Sequence, residues 1–250
     1  RAGRFLRGAA RARLSAPQGD AAWRAPRRAT LRETAPSPLL SMTVLVAGAH
    51  GAVGQHVVQI LAEAGHHVLA LIRNADQSAL LRTLGGHPIV GDLTGDVSDA
   101  PSGCDAVIFA AGSGGDAVEA VDRDGAIQLI DAAVTHSVRR FVMLSSIGAD
   151  APEEADQLQD YLRAKHEADQ HLLDSGLTYT ILRPTTLTNG AGVGTATFAA
   201  SLDLKEGSSE VAREDVAAAL AAIVTISETE HAVIEMTAGP TPIREGLAAT

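Results

Sequence analysis

One short segment constrains the fold of this 250-residue chain more than any other, because an apolar run, a glycine-rich turn and an amphipathic stretch follow one another directly. The run covers residues 43–48 and is rich in valine, which is typical of a buried strand. After Gly51 and Gly54, the apolar residues of 52–65 recur at helical spacing. A strand that turns tightly into a helix predicts a βαβ unit and therefore a parallel sheet.

The same two patterns alternate along the rest of the chain from Met42. Strands that read as nearly continuous apolar runs are buried on both faces, so the sequence predicts helices on both sides of the sheet. The predicted strands cover 43–48, 66–73, 87–93, 105–112, 139–146, 177–184 and 231–239, and the predicted helices cover 52–65, 75–85, 117–137, 155–176 and 213–226.

These elements predict an α/β fold over residues 42–250, in which one Rossmann-type, doubly wound parallel sheet forms a single domain. A small region towards the C-terminus would then form the substrate side. Residues 185–211 are rich in glycine and threonine and are predicted to be a loop on that side. A loop of this length within a compact domain is usually functional.

The first 41 residues differ in composition from the rest of the chain. They hold nine arginines and only two acidic residues, although the whole chain has a formal charge of −10. Their few apolar residues show no sustained period, so we predict a disordered basic extension. Three interpretations compete: an organelle transit peptide, a basic arm that touches RNA or membranes, and a start assigned too far upstream. We favour the third, with Met42 as the true first residue.

Composition also excludes several classes of function. Outside the first 41 residues the chain is strongly acidic, which disfavours nucleic acid as a partner. Cys104 is the one cysteine, so neither an intrachain disulfide nor a multi-cysteine metal cluster is available. The nine histidines show no spacing typical of zinc or iron sites, and no apolar run of membrane-spanning length occurs. We expect a cytoplasmic monomer or homodimer with no metal, nucleic-acid or membrane partner.

The glycine turn after the first strand has the spacing of a dinucleotide-binding loop. Gly48 permits a tight turn, Gly51 lets the backbone approach a pyrophosphate, and Gly54 allows close packing of the helix on the strand. The helix N-terminus adds free N–H groups and a positive dipole end. The alternative, glycines that only form a tight turn, has less support in this βαβ context. The predicted cofactor contacts in this turn are Gly48, His50, Gly51, Ala52, Val53 and Gly54.

The end of the second predicted strand indicates which dinucleotide is preferred. A site for NAD places an acidic residue there, which binds the ribose 2′-hydroxyl. This chain has Arg73 at that place, and a guanidinium pairs well with a 2′-phosphate. We therefore expect NADP(H) to be preferred over NAD(H). The alternative is that Arg73 is an ordinary surface arginine.

Two further motifs predict acid–base chemistry at the same edge of the sheet. Tyr161 and Lys165 are four residues apart in a predicted helix and so lie on one face. A nearby ammonium group lowers the pKa of a phenol, which makes the tyrosine a usable acid or base. Ser145 and Ser146 end the preceding strand, and one of them, with some preference for Ser146, could donate a hydrogen bond to a developing alkoxide. The alternative for the Tyr–Lys pair is a helix-surface pair without chemistry.

Taken in order, the glycine turn, Ser145-Ser146, Tyr161-x-x-x-Lys165 and Arg183-Pro184 resemble the short-chain dehydrogenase/reductase superfamily. The glycine spacing is similar to that of its extended and atypical branches. Segments such as 91–96 (GDLTGD) and 176–189 (GLTYTILRPTTLTN) resemble the atypical NAD(P)-binding proteins of the epimerase-like, NmrA-like and flavin- or biliverdin-reductase-like groups. The resemblance covers residues 42–250.

The resemblance implies further cofactor contacts, which fall at the ends of successive strands. Lys165 would bind the nicotinamide ribose and tune Tyr161. Many members have a glycine after the Arg-Pro pair, where this chain has Thr185. Extended members also carry a larger substrate domain, so a sugar nucleotide would find little protein to hold it here. The implied contacts are Asp92 and Leu93 at the adenine, Ala110, Ala111 and Gly112 along the dinucleotide, and Pro184, Thr185 and Thr186 at the carboxamide.

Two functions from different classes remain open on this evidence. The first is an NADP(H)-dependent oxidoreductase or epimerase that acts on a small carbonyl or alcohol through Ser146 or Ser145, Tyr161 and Lys165. The second is a non-catalytic NADP(H)-binding sensor or assembly factor, in which the cofactor biases a partner surface. Both predict the same cofactor site.

Overall fold

The structure, a computed structural model, describes residues 41–115, 117–204 and 210–250. The compact unit that contains them spans Leu40–Thr250. The predicted basic extension lies, apart from Ser41, outside the described residues, and it stays a prediction.

The described strands confirm the predicted Rossmann-type sheet. Nine of them form one sheet in the order β11-β8-β10-β6-β5-β4-β1-β2-β3, in which the run from β10 to β3 is parallel throughout. The strands of the chain are β1 (Thr43–Ala47), β2 (His67–Ile72), β3 (His87–Val90), β4 (Ala106–Phe109), β5 (Arg140–Leu144), β6 (Tyr179–Pro184), β7 (Thr186–Thr188), β8 (Thr195–Ala199), β9 (Glu210–Ala212), β10 (Ala232–Ala238) and β11 (Thr241–Pro242).

Helices cover both faces of this sheet. β1 shows why, since Val44 and Val46 pack in one apolar cluster and Leu45 and Ala47 in the other, all fully buried. The first cluster includes residues of α1 and α5, and the second includes residues of α3 and α4. The helices are α1 (Ala52–Glu63), α2 (Ser78–Thr83), α3 (Ala126–Thr135), α4 (Gln159–Asp174), α5 (Arg213–Ile223) and α6 (Ile243–Ala248).

The predicted helix over 117–137 has two parts in the structure. A π-helical stretch, Val118–Gly125, precedes α3 and widens the first turns. At its end Gly125 packs so closely on the Leu93 backbone that a Cβ there would lie 2.9 Å from the Leu93 carbonyl oxygen. The wide turn also places Asp122 in the interior, fully buried. Such turns are rare and are frequent at functional sites.

The prediction of a loop over 185–211 is wrong in its local structure. The segment contributes β7, β8 and β9, of which β7 and β9 pair as a separate two-stranded parallel sheet. β8 joins the main sheet antiparallel to β10, with Thr197 opposite Thr237. Threonine favours extended backbone, and the pairing with β10 supplies the hydrogen bonds that a loop would leave to water.

Within the described ranges, no helix is long and apolar enough to cross a membrane.

Candidate functional site

The glycine turn after β1 lies at the carboxyl edge of the sheet. Gly48 has a φ of 78°, and a Cβ at this position would lie 2.5 Å from the Ala111 Cα. A Cβ at Gly54 would lie 2.2 Å from the Gly48 carbonyl oxygen. The fold itself therefore requires glycine at both positions, as the prediction of a tight turn and close helix packing states.

Gly51 is different, because it is exposed and a Cβ there would make a single tight contact. A Cβ at Gly51 would meet only the Gly48 carbonyl oxygen, at 3.1 Å. Gly51 is the N-cap of α1, and no side chain caps this helix. The N–H groups of its first turn are thus open at a positive dipole end, which suits an anionic pyrophosphate.

The other residues of the turn differ in how far their side chains are exposed. His50 is half-buried, and its carbonyl oxygen accepts a hydrogen bond of 2.7 Å from the Gln55 Nε2. Ala52 is exposed, whereas the Val53 side chain packs in the core. Only the backbone of Val53 is therefore available to a bound group.

Two charged residues follow β2 and β3, Arg73 predicted to contact the ribose 2′-phosphate and Asp92 predicted to contact the adenine. Arg73 follows β2 and is exposed. The Asp92 Oδ1 accepts hydrogen bonds from the Thr94 N–H and Oγ1, both at 2.9 Å. These bonds, with a smaller contribution from the positive charge of Arg73, lower the pKa of Asp92. Leu93 packs in the core near Val97, so its side chain contributes little open surface.

The segment after β4 forms the next part of the edge. Ala110 and Ala111 are buried, and Gly112 is exposed. The Ala111 backbone contacts the turn at Gly48, as described above, and its carbonyl oxygen lies 3.5 Å from the Lys165 Nζ. The first βα turn and α4 therefore meet at Ala111.

Lys165 is the centre of a buried polar cluster beside this edge. Only 2% of the residue is exposed, and its Nζ lies 3.1 Å from the Asp122 Oδ1. The Nζ also donates to the Leu144 carbonyl oxygen at 3.3 Å, at the end of β5. It lies 5.7 Å from the centre of the Tyr161 ring and 5.6 Å from that of Phe109. The predicted Tyr–Lys pair thus shares one face of α4, and that face points to the ends of β4 and β5.

Tyr161 and Ser146 are the two reactive hydroxyls that remain accessible here. Tyr161 is half-buried in the first turn of α4, and its hydroxyl makes no hydrogen bond to the part of the chain that the structure describes. Ser146 is half-buried, and its Oγ donates only weakly, at 3.2 Å, to the adjacent Ile147 carbonyl oxygen. Neither hydroxyl is thus committed to a strong hydrogen bond within the described residues.

Ser145 has a different environment from that of Ser146. Its Oγ is buried and donates to the Asp169 Oδ2 at 2.8 Å. The same carboxylate oxygen accepts from the Arg183 Nε and Nη2 at 3.1 and 3.0 Å. Burial raises the pKa of Asp169, although the positive charge of Arg183 acts in the opposite direction. The Ser145 hydroxyl proton is therefore committed to Asp169, whereas that of Ser146 is not.

The residues after β6 are mostly enclosed. Pro184 ends β6 and is buried. Thr185 is buried, and its N–H donates to the Met236 carbonyl oxygen at 2.9 Å while its Oγ1 lies 3.2 Å from the Thr237 Oγ1. Thr186 is exposed and begins β7. Of the three predicted carboxamide contacts, Thr186 thus presents the most side-chain surface.

The sequence analysis missed Asp122 and Asp169, which hold the cluster together. Asp122 accepts from the Ser113 N–H at 3.0 Å and from its Oγ at 2.7 Å, in addition to facing Lys165. One signal was present, because a lysine on the buried face of a helix needs a counter-ion. The sequence does not say which of many acidic residues provides it. Among the described residues, no group of three or more side chains suited to a metal ion occurs.

Comparisons with known proteins show the family of the chain. Residues 48–226 match a protein family described as NAD(P)H-binding. Over 215 residues the chain is 39% identical to YhfK of Bacillus subtilis, an uncharacterized protein named a sugar epimerase, and the alignment covers 82% of this chain and 99% of YhfK.

Two solved structures share both fold and sequence with the chain. A Bacillus halodurans protein described as a candidate NAD-dependent epimerase/dehydratase is 36% identical, with a TM-score of 0.80 over 84% of this chain and 100% of that one. The oxidoreductase ylbE of Lactococcus lactis is 30% identical, with a TM-score of 0.75 over 83% and 96%.

Proposed function

Since the chain belongs to the NAD(P)H-binding family, we propose that it is an NADP(H)-dependent oxidoreductase or epimerase that acts on a small carbonyl or alcohol. The observation that carries this proposal is the pairing on α4, where Tyr161 keeps an unbonded hydroxyl beside the buried cation of Lys165. Their position at the carboxyl edge is where ligands bind in such sheets.

The residues at the edge fit a dinucleotide. The open N–H groups at the start of α1 would bind its pyrophosphate, and the exposed guanidinium of Arg73 would bind a ribose 2′-phosphate. The exposed Gly51 and Gly112 leave the backbone accessible along the route between α1 and Lys165. When bound, the nicotinamide ring supplies hydride exchange with the substrate carbon.

The side chains of α4 and the end of β5 would handle the substrate oxygen. Tyr161 donates or accepts the proton at its phenol oxygen, and the Nζ of Lys165 lies 5.7 Å from the centre of its ring. Ser146 donates a hydrogen bond to the negative charge that develops on the same oxygen. Asp122 holds Lys165 in place, so the cation faces Tyr161 without access to bulk water.

The experiment that tests this function uses the full chain. Calorimetric titration with NADPH and with NADH gives both dissociation constants, and we expect tighter binding of NADPH. NADPH oxidation is then followed with quinones, aldehydes, flavins and linear tetrapyrroles, and turnover of at least one of them is expected.

The matched variants are Gly51→Asp and Gly54→Ala. A carboxylate at position 51 should repel the pyrophosphate while the fold is kept, because its Cβ would make one tight contact, with the Gly48 carbonyl oxygen, which a shift of a few tenths of an ångström relieves. A methyl group at position 54 should instead destabilise the protein itself. Unchanged NADPH affinity in the Gly51→Asp protein would refute the cofactor site. Tight binding of NADPH without turnover of any compound would refute the enzymatic function and favour the alternative, a non-catalytic sensor.

A further inference from the structure

We propose that the site selects an uncharged, mainly apolar carbonyl compound or alcohol and rejects anionic substrates, including nucleoside diphosphate sugars. This inference rests on the proposed function, because it concerns the substrate of the same Ser146–Tyr161–Lys165 site. The name of the relative YhfK, a sugar epimerase, would instead suggest a sugar substrate.

The first observation is that two buried cations beside the site, among the residues that the structure describes, are already paired with carboxylates. Lys165 faces Asp122 at 3.1 Å, and Arg183 binds Asp169 at 3.0 Å, with both cations at least nine-tenths buried. A diphosphate needs arginine or lysine groups that can turn towards it. These two cannot do so without leaving a buried carboxylate unpaired, which is costly.

Two arginines at the rim of the site also have side-chain partners. Arg163 lies in α4, five residues after Leu158. Its guanidinium is 3.0 Å from a carboxylate oxygen of Glu153 and 3.3 Å from one of Asp160. Arg213, at the start of α5, donates to the Asn189 Oδ1 at 2.7 Å and is followed by Glu214 and Asp215. Both guanidinium groups are thus held by side chains of the protein, Arg163 by two carboxylates and Arg213 by an amide.

The second observation is the charge of the segment that leads from β5 into α4. Residues 145–160 contain five acidic residues and no lysine or arginine. Glu153, Glu154 and Asp156 are all exposed. α4 runs back against the direction of β5 and β6, so its N-terminus and this segment lie at the same edge as Tyr161. Their combined field repels an approaching anion, most strongly at low ionic strength.

The third observation is that the same rim exposes apolar side chains. Leu158 precedes α4 with 71% of its surface exposed, and it has the left-handed backbone conformation with φ 61°. Val193, in the segment between β7 and β8, is 73% exposed. Hydrogen bonds from the N–H groups of residues 192–194 to Glu214 and Asp215 hold that segment in place. An apolar substrate would gain from covering these side chains, whereas a phosphate would not.

The test compares two aldehydes of similar shape that differ by one charge, 4-nitrobenzaldehyde and 4-carboxybenzaldehyde. The measured quantity is the kcat/KM of the neutral aldehyde divided by that of the anionic aldehyde. We expect this ratio to be about tenfold higher at about 0.01 M salt than at about 0.15 M salt. The triple variant Glu153→Gln, Glu154→Gln, Asp156→Asn should lower the ratio at low salt by a similar factor. Because the nitro and carboxylate groups also differ electronically, the change in the ratio is the measured quantity rather than its absolute value.

The matched control carries the same change of charge at the opposite edge of the sheet, in Glu63→Gln, Asp174→Asn, Glu228→Gln. All three residues are exposed, and we expect the ratio to stay as in the unmodified protein. A ratio that responds neither to salt nor to the first triple variant would overturn the proposal. So would calorimetric binding of UDP-galactose to the protein saturated with NADP⁺.

A second measurement separates this inference from the proposed function. If neither aldehyde oxidises NADPH, the proposed function fails for these compounds, but charge selection is still decided by equilibrium dialysis. The protein with NADP⁺ should retain 4-nitrobenzyl alcohol and not 4-carboxybenzyl alcohol at low salt. Equal retention of the two alcohols, or retention of neither, would overturn the inference.

Discussion

The Lys165 Nζ and the Asp122 Oδ1 lie 3.1 Å apart in the interior, with the lysine 2% exposed and the aspartate fully buried. This ion pair joins α4 to the π-helical stretch before α3 and fixes the cation next to Tyr161. A buried pair of this kind gives little net stability by itself, but loss of one partner leaves the other charge uncompensated.

We therefore expect Asp122→Asn to lower the free energy of unfolding by about 3–5 kcal/mol. Urea denaturation followed by circular dichroism measures this change. The control is Glu153→Gln, which breaks an exposed ion pair with Arg163 and should cost no more than about 1 kcal/mol. Equal effects of the two substitutions would show that the buried pair is unimportant for the fold.

Tyr161→Phe should lower kcat by about 10²–10⁴-fold, the usual contribution of a positioned acid or base. NADPH affinity should change little, because the ring and its contact with Lys165 remain. The chain provides a matched control in Tyr179, the other tyrosine, which begins β6 and packs edge-on against His231 with ring centres 5.2 Å apart. Steady-state kinetics in which both variants lose activity equally would contradict a catalytic role for Tyr161.

Much of this fold can be predicted from the sequence because its main signals are local. β1 to β6 are apolar runs in the printed sequence, and glycines with structural reasons, such as Gly48 and Gly54, mark the first turn. The Tyr161–Lys165 pairing follows from helical spacing alone. These features depend on residues that are close in the sequence, so the sequence pattern predicts them.

What could not be predicted depends on contacts between distant segments. β8 is a strand because β10 lies beside it, and the π-helical turn depends on how Gly125 packs against Leu93. The hydrogen bond of the buried Ser145 hydroxyl is similar, since its acceptor, Asp169, lies in a helix 24 residues further along the chain. No local pattern marks Asp169 as the acceptor.

Arg73→Gln should weaken NADPH binding by about 10- to 100-fold, because a hydrogen bond between charged groups is lost. NADH, which lacks the 2′-phosphate, should bind with unchanged affinity. Arg82→Gln is the control, since Arg82 is also exposed but lies in the last turn of α2. Calorimetric titration gives the dissociation constants of both nucleotides for each variant. An equal loss of NADH affinity in Arg73→Gln would mean that Arg73 does not bind the 2′-phosphate.

Cys104 should be unreactive in the folded protein at neutral pH. It is 8% exposed, and burial, with a smaller contribution from the negative charge of Asp105, raises the pKa of its thiol to about 11. At about pH 8 only about one thiol in a thousand is therefore ionised, and the thiolate is the reactive form. Ellman's reagent should label the unfolded chain within minutes and the native chain far more slowly.

The same raised pKa predicts how stability depends on pH. The folded pKa lies above that of an ordinary thiol, so the contribution of Cys104 to stability is fully present below the ordinary value and is lost as pH rises through about 11. The unfolding free energy of the native protein should therefore fall relative to that of Cys104→Ala between about pH 9 and pH 11. A constant difference across that range, measured by urea denaturation, would show that the thiol is not shielded in solution.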